Sequence, residues 1–371
     1  MRLTSEQEDL RSAVRGLLAR SPVGPEPDPV AERSLWQRLC TQIGVAGLAI
    51  PERYGGSGAG PVEVHVVMEE LGRLLVPSPM LGSAVLATQA LLGSQDEAAC
   101  GRLLPALADG RAVAALAWTT AAGRFDPAEV ACSAGRPRGT AAGSAAASDN
   151  WLVTGEAHYV LDGAAASVLL VPALMPEGGT GLFEVDPAQP EVTCRAWPTM
   201  DDTRRLAVVA LDGATARRIG GPAALDLARD AACIALSAEQ AGAAAQALAL
   251  TVAYTKVRVQ FGRPIGGFQA LQHRMAEMHV LAESARSLSY AAADAAEQQA
   301  PDVSLRAAAA KAYCSQVLQQ VSAEMIQLHG AIGMTWEHQA HRYFKRGHGA
   351  AMLLGTPATH TDRIAAAVVD G

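Results

Sequence analysis

The sequence predicts an α+β chain ordered helical, β, helical, and three observations carry that expectation. Apolar residues recur at helical spacing over 1–111, short apolar runs broken by Gly and Pro fill 112–221, and helical spacing returns over 222–371. The first segment is expected as an N-terminal helical domain, the middle as an antiparallel β domain and the last as a four-helix bundle. At 371 residues the chain has room for two or three domains.

Taken in order, Thr4-Ser5-Glu6-Gln7 has the spacing of a helix start, with Leu3, Leu10, Val14, Leu17 and Leu18 forming an apolar stripe. Residues 22–29 break that helix, a second begins near Ser34, and 50–58 is a loop rich in breakers. Helical spacing resumes over 62–75 and 80–92. Runs at 113–118, 151–160, 167–174, 181–185 and 206–211 have strand length, while 135–148 reads as a mobile loop of small polar residues. Residues 223–257 contain no Pro and a single Gly, Gly242, and form the longest helix; 268–297 and 304–327 are two more. Their alanine-rich faces suit close packing within a bundle and between subunits.

Composition excludes several classes. Half the residues are hydrophobic and 18% are charged, so a large core is expected instead of disorder. The net charge of −7, with no basic run, lacks the footprint of a nucleic-acid partner. No apolar stretch reaches the ~18–20 residues of a membrane span; the best, 164–175, is interrupted by Pro172. The first 20 residues are charged and amphipathic, without an apolar signal core. Cys40, Cys100, Cys132, Cys194, Cys233 and Cys314 show no CxxC spacing. The expectation is a cytoplasmic protein with reduced thiols and no metal site.

Two motifs carry chemistry. Arg258-Val-Gln-Phe261-Gly262-Arg-Pro264-Ile265-Gly-Gly-Phe268-Gln269 follows the longest helix and opens the next. A guanidinium at a helix end supplies planar, permanently charged donors for a pyrophosphate. The Gly-Arg-Pro turn lets backbone N–H groups face an anion, and Phe261 offers a flat face to an adenine or a flavin edge. The plainer alternative is a helix corner whose Arg caps carbonyls and whose Phe is core. The second motif, Gln327-Leu-His329-Gly330-Ala331-Ile-Gly333-Met-Thr335-Trp336-Glu337-His338, precedes Arg342, for which Glu337 is the expected ion-pair partner.

Together these motifs resemble the acyl-CoA dehydrogenase family, whose helical–β–helical order matches nearly the whole chain. The resemblance implies an FAD-dependent oxidoreductase that introduces a Cα–Cβ double bond into an acyl-CoA and passes electrons to an electron-transfer flavoprotein. It implies a tetramer built as a dimer of dimers. Within it, Arg258, Phe261 and Gln269 would touch an FAD seated mainly in a neighbouring subunit. Gln327 and Gly330 would line the adenine-side cleft, and Thr356 would also meet the cofactor. Ala331 stands where the family usually has a second Gly. In the β domain, Trp118-Thr119-Thr120-Ala121 stands where the family has Thr-Glu-Pro, and Tyr159-Val160-Leu161 where many members have a Trp and a Thr. The acyl pocket is expected between the β domain and the first helices of the bundle.

Desaturation needs a carboxylate base, worth about 10²–10⁴-fold in rate. The family's two base positions fall on Leu354, just before Gly355-Thr356, and on Ala232; neither accepts a proton. Asp230 lies about 200° round the helix from Ala232, whereas Glu239 lies within about 20° but about 10 Å further along. Glu239 therefore reads as a packing or salt-bridge residue. No catalytic residue is assigned. The chain thus resembles the non-catalytic partner subunit of actinobacterial α2β2 heterotetrameric dehydrogenases of the steroid side-chain type, in which the homologous subunit holds the base. Two alternatives stay open. One is a self-sufficient homotetramer using Glu239 or Asp230; the other is a flavin-free scaffold that binds acyl-CoA.

Overall fold

The computed structural model describes residues 3–21, 28–123, 125–126, 129–137 and 150–369. Residues 22–27 of the expected break and 138–149, which hold most of the expected mobile loop, lie outside the described residues. Helix α1 (Ser5–Ala19) opens with a capping box: Thr4 Oγ1 accepts from the Gln7 N–H at 3.2 Å and Gln7 Oε1 from the Thr4 N–H at 3.0 Å. Helix α2 (Pro29–Ile43) begins earlier than Ser34. The Asp28 carboxylate caps the Val30 and Ala31 N–H groups, and Pro29 is pre-set for the first helical position. Helix α3 (Pro61–Arg73) follows the breaker loop. The helix expected over 80–92 divides into a buried π-helix, Met80–Ala87, and α4 (Thr88–Ser94); α5 (Glu97–Ala108) completes the segment.

The middle segment holds β1 (Ala114–Leu116), β2 (Cys132–Gly135), β3 (Asn150–Leu161), β4 (Val168–Leu174), β5 (Thr180–Val185), β6 (Val192–Trp197) and β7 (Leu206–Gly220). It is mixed, not antiparallel: β1 and β2 both run parallel to β4. Parallel neighbours need long crossovers, and here one or two strands intervene between the partners. Pairings β2–β3, β3–β7, β7–β5, β5–β4 and β4–β2 close a ring. The fifteen-residue β7 is long enough to pair with β3 on one side and with β6 and then β5 on the other. Trp151 and Phe183 meet edge to face at 5.5 Å inside it.

Helices α6 (Pro222–Val257), α7 (Gln269–Glu297), α8 (Val303–His329) and α9 (Ala340–Met352) form the bundle, with α10 (Pro357–Val369) against α8. Helix α3 packs across α6 through two glycines. A Cβ at Gly242 would fall 2.0 Å from Glu69 O, and one at Gly72 would fall 2.1 Å from Glu239 O. Only residues without side chains permit that approach, and it joins the first segment to the bundle. No described helix is long and apolar enough to cross a membrane.

Candidate functional site

The two motifs meet at one end of the bundle. Tyr254, one turn before the end of α6, stacks on His329 at the end of α8 with centroids 4.3 Å apart, and its hydroxyl lies 3.3 Å from His329 O. Beyond α6, β8 (Val259–Gln260) and β9 (Arg263–Pro264) form a small hairpin across Phe261 (φ 52°) and Gly262 (φ 78°). The Ile265 N–H donates to Arg258 O at 2.8 Å, and the Arg263 guanidinium lies 4.0 Å over the Phe268 ring. Gln269 then opens α7. Phe261 is 90% exposed, so the corner reading in which this ring is core does not hold.

Arg258, Phe261, Gln269, Gln327 and Gly330 are all exposed at this end. Thr356 is not with them. It caps α10, its Oγ1 accepting from the Thr359 N–H at 3.2 Å. The adjoining Gly355 is held by Lys311, which precedes Gln327 by about 24 Å along α8. Directly behind the exposed residues, His329 Nδ1 bonds to Met325 O at 2.7 Å while its Nε2 is buried without a partner. Burial lowers the His329 pKa. A guanidinium, an outward aromatic face, two amides and an orphaned imidazole nitrogen fit an anionic, aromatic dinucleotide such as FAD.

The base positions are apolar in space as in sequence: Ala232 and Leu354 are buried in one core that also contains Leu161 and Leu81. Glu239 is pinned. Its Oε1 accepts from Arg204 at 2.5 Å and Arg346 at 2.9 Å, and Asp201 pairs with Arg346 at 3.0 Å. Asp230 accepts from Arg229 at 3.2 Å and Arg363 at 3.1 Å. The salt-bridge reading of Glu239 thus matches the structure, and Asp230 is likewise paired with arginines. Arg342, expected opposite Glu337, pairs with Asp202 at 2.9 Å.

The cavity between Leu161, Asp162, Arg204, Glu239, Arg346 and Met80 measures about 10 Å³, the space of about one water. Burial pushes the Asp162 carboxyl up to about 7. Sequence reading also missed Lys311, which is fully buried and donates to Ser315 Oγ (3.0 Å), Gly355 O (3.2 Å) and Ala351 O (3.3 Å). Burial lowers its pKa to about 8. Its only signal was a charge inside an alanine-rich apolar run.

The helical–β–helical order and the two family matches it contains are those of a flavin-dependent dehydrogenase. Residues 4–111 match the acyl-CoA dehydrogenase N-terminal domain, and residues 226–369 match the C-terminal domain. This chain belongs to the acyl-CoA dehydrogenase family, whose members are FAD-dependent oxidoreductases. It is 37% identical to the acyl-CoA dehydrogenase IpdE2 of Mycolicibacterium smegmatis, over 99% of this chain and 100% of that protein. It is 38% identical to IpdE2 of Mycobacterium tuberculosis, covering 95% of this chain and 94% of that one. Among solved structures, a variant of the Tcur3481-Tcur3483 steroid ACAD superposes with a TM-score of 0.86 at 31% identity, covering 99% of this chain and 98% of that one. Butyryl-CoA dehydrogenase from Megasphaera elsdenii shares the fold, with a TM-score of 0.89 at 22% identity over 100% and 99% of the two chains.

Proposed function

We propose that this chain is the partner subunit of an acyl-CoA dehydrogenase complex, assembled α2β2 with a homologous subunit that carries the base. The observation behind this reading is the loss of both base positions to Ala232 and Leu354, while Glu239 and Asp230 are held by arginines. In the complex, Arg258 would hold the pyrophosphate of an FAD seated mainly in the neighbour. Phe261 would cover its aromatic edge, and Gln269, Gln327 and Gly330 would hydrogen-bond along it. Bound FAD would supply the acceptor for the β-hydride of the acyl-CoA and the route for its electrons to an electron-transfer flavoprotein. Thr356 would act on a different cofactor end from the other five. Likeness to the steroid ACAD structure supports a steroid-derived acyl-CoA as the substrate class.

The visible spectrum and solution mass of the chain, purified alone and then with the homologous subunit, test this reading. The expected result is a colourless or unassembled chain alone. Together the two should give a yellow tetramer with about one flavin per pair of chains. A yellow homotetramer that reduces a dye with acyl-CoA refutes the proposal and returns the search for a base to Glu239 and Asp230.

A further inference from the structure

The turn between α9 and α10 is bent against its own preferences. Leu354 (φ 59°) and Gly355 (φ 99°) follow one another with positive φ, and for the bulky Leu354 that region is disfavoured. Both residues are buried, and Thr356, which follows, is half-buried. Backbone held in such a conformation persists where its surroundings over-determine it, and it clusters at functional sites.

Two buried donors hold this turn. Lys311 Nζ reaches from α8 to Gly355 O at 3.2 Å and to Ala351 O, in the last turn of α9, at 3.3 Å. His360 of α10 places Nε2 2.9 Å from Leu354 O, which makes that nitrogen the donor. The carbonyls of both positive-φ residues are thus drawn inward. A Cβ at Gly355 would fall 3.1 Å from His360 Nε2, so the imidazole lies directly under the bend. Lys311 is itself anchored: it donates to Ser315 Oγ at 3.0 Å, and Gln240 Nε2 of α6 donates to the same hydroxyl at 3.0 Å. All three partners of the ammonium are uncharged oxygens. A cation buried without a carboxylate costs folding energy. What the ammonium contributes here is direction, because three fixed acceptors meet its three N–H bonds.

We infer that Lys311 and His360 are positioning residues, which set the Leu354–Gly355–Thr356 turn and so present Thr356 to the cofactor. The inference deepens the proposed function, because it rests on Thr356 as a cofactor contact. It gives that contact a support of its own, apart from the corner at Phe261.

Hydrogen–deuterium exchange over residues 353–356 and the FAD dissociation constant test it, on the full chain in complex with the homologous subunit, with the melting temperature of the same samples. Lys311→Met keeps the length of the side chain and removes its donors. The expected result is exchange about 10-fold faster in the turn alone, FAD bound about 10-fold more weakly and a melting temperature that does not fall. A lysine that only supports the fold would instead lower the melting temperature and spread faster exchange along α8 and α10, and that pattern overturns the inference. Unchanged exchange over the turn overturns it as well. His360→Leu should loosen the turn in the same way, whereas His360→Gln, which keeps an N–H for Leu354 O, should recover most of the loss. Equal losses in those two variants overturn the inference, and the pair decides if Lys311→Met does not assemble. Thr356→Val separates the two readings. If FAD binding is unchanged in it, the reading of Thr356 fails and the positioning with it. If Thr356→Val weakens FAD while Lys311→Met loosens the turn and leaves FAD alone, only the positioning is refuted.

Discussion

Replacing Glu239 by Gln separates a structural carboxylate from a catalytic one. The Glu239 side chain accepts from Arg204 at 2.5 Å and Arg346 at 2.9 Å, and all three residues are at most 9% exposed. Glutamine keeps the shape but removes the charge, which leaves two buried guanidiniums facing each other with only Asp201 ion-paired between them. Removing one partner of a buried ion pair costs about 3–5 kcal/mol. At about 1.3 °C per kcal/mol for a chain of 371 residues, the melting temperature should fall by about 5 °C. Differential scanning calorimetry on the complex, with flavin absorbance and dye reduction on the same samples, reads all three quantities. Arg204→Met/Glu239→Met should recover part of the loss, because the pair leaves together and its coupling appears in the double-mutant cycle. The reasoning is refuted if Glu239→Gln abolishes turnover while the melting temperature stays within about 2 °C of the parent.

Three further outcomes follow from local geometry. Lys311 is buried as a cation with a pKa of about 8 against 10.5 in model compounds, so between those values the unfolded chain binds the extra proton. Its contribution therefore makes stability rise with pH across pH 8–10.5, by roughly 3 kcal/mol, and Lys311→Met should flatten that part of the urea-midpoint curve. Gly242→Ala should destabilise by more than the ~1–3 kcal/mol of ordinary overpacking, since its Cβ would sit 2.0 Å from Glu69 O, despite alanine's better helix propensity; a raised urea midpoint refutes this. Phe261→Ala should leave stability within about 0.5 kcal/mol but weaken FAD retention by the complex about 10-fold, read by flavin fluorescence on dilution.

What the sequence made legible is local. The Thr4–Gln7 capping box, the long α6 and the Arg258–Gln269 corner are written within a few residues of themselves, and the structure reproduces each. Pro29 reads as a breaker because proline stops helices, yet with Asp28 before it the same residue starts one. Strand β2, Cys-Ser-Ala-Gly, has neither alternation nor branched side chains, and only its neighbours β3 and β4 make it a strand. Parallel pairing to β4 is equally unreadable, since it is set by what folds between the strands. The salt-bridge character of Glu239 follows from helical phase, but its partners stand 35 and 107 residues away. Lys311 hides for the same reason, because its acceptors Ala351 and Gly355 lie 40 and 44 residues on.

The two halves of α6 differ in burial, and so in what a substitution in each can disturb. Ala232 and Glu239 belong to the buried first half, and Arg258 stands just past the exposed end, about 39 Å beyond Ala232 at helical rise. Substitutions that far apart, with no shared partners, act independently to within about 0.5 kcal/mol. Substitutions at Ala232 or Glu239 are therefore expected to leave the Phe261 corner undisturbed. Phe261 is 90% exposed in the left-handed region, where a non-glycine residue is disfavoured, and its ring meets Phe268 edge to face at 6.1 Å. In the proposed assembly a flat aromatic cofactor from the neighbouring subunit would cover that ring, and Phe261→Ala tests it through flavin retention.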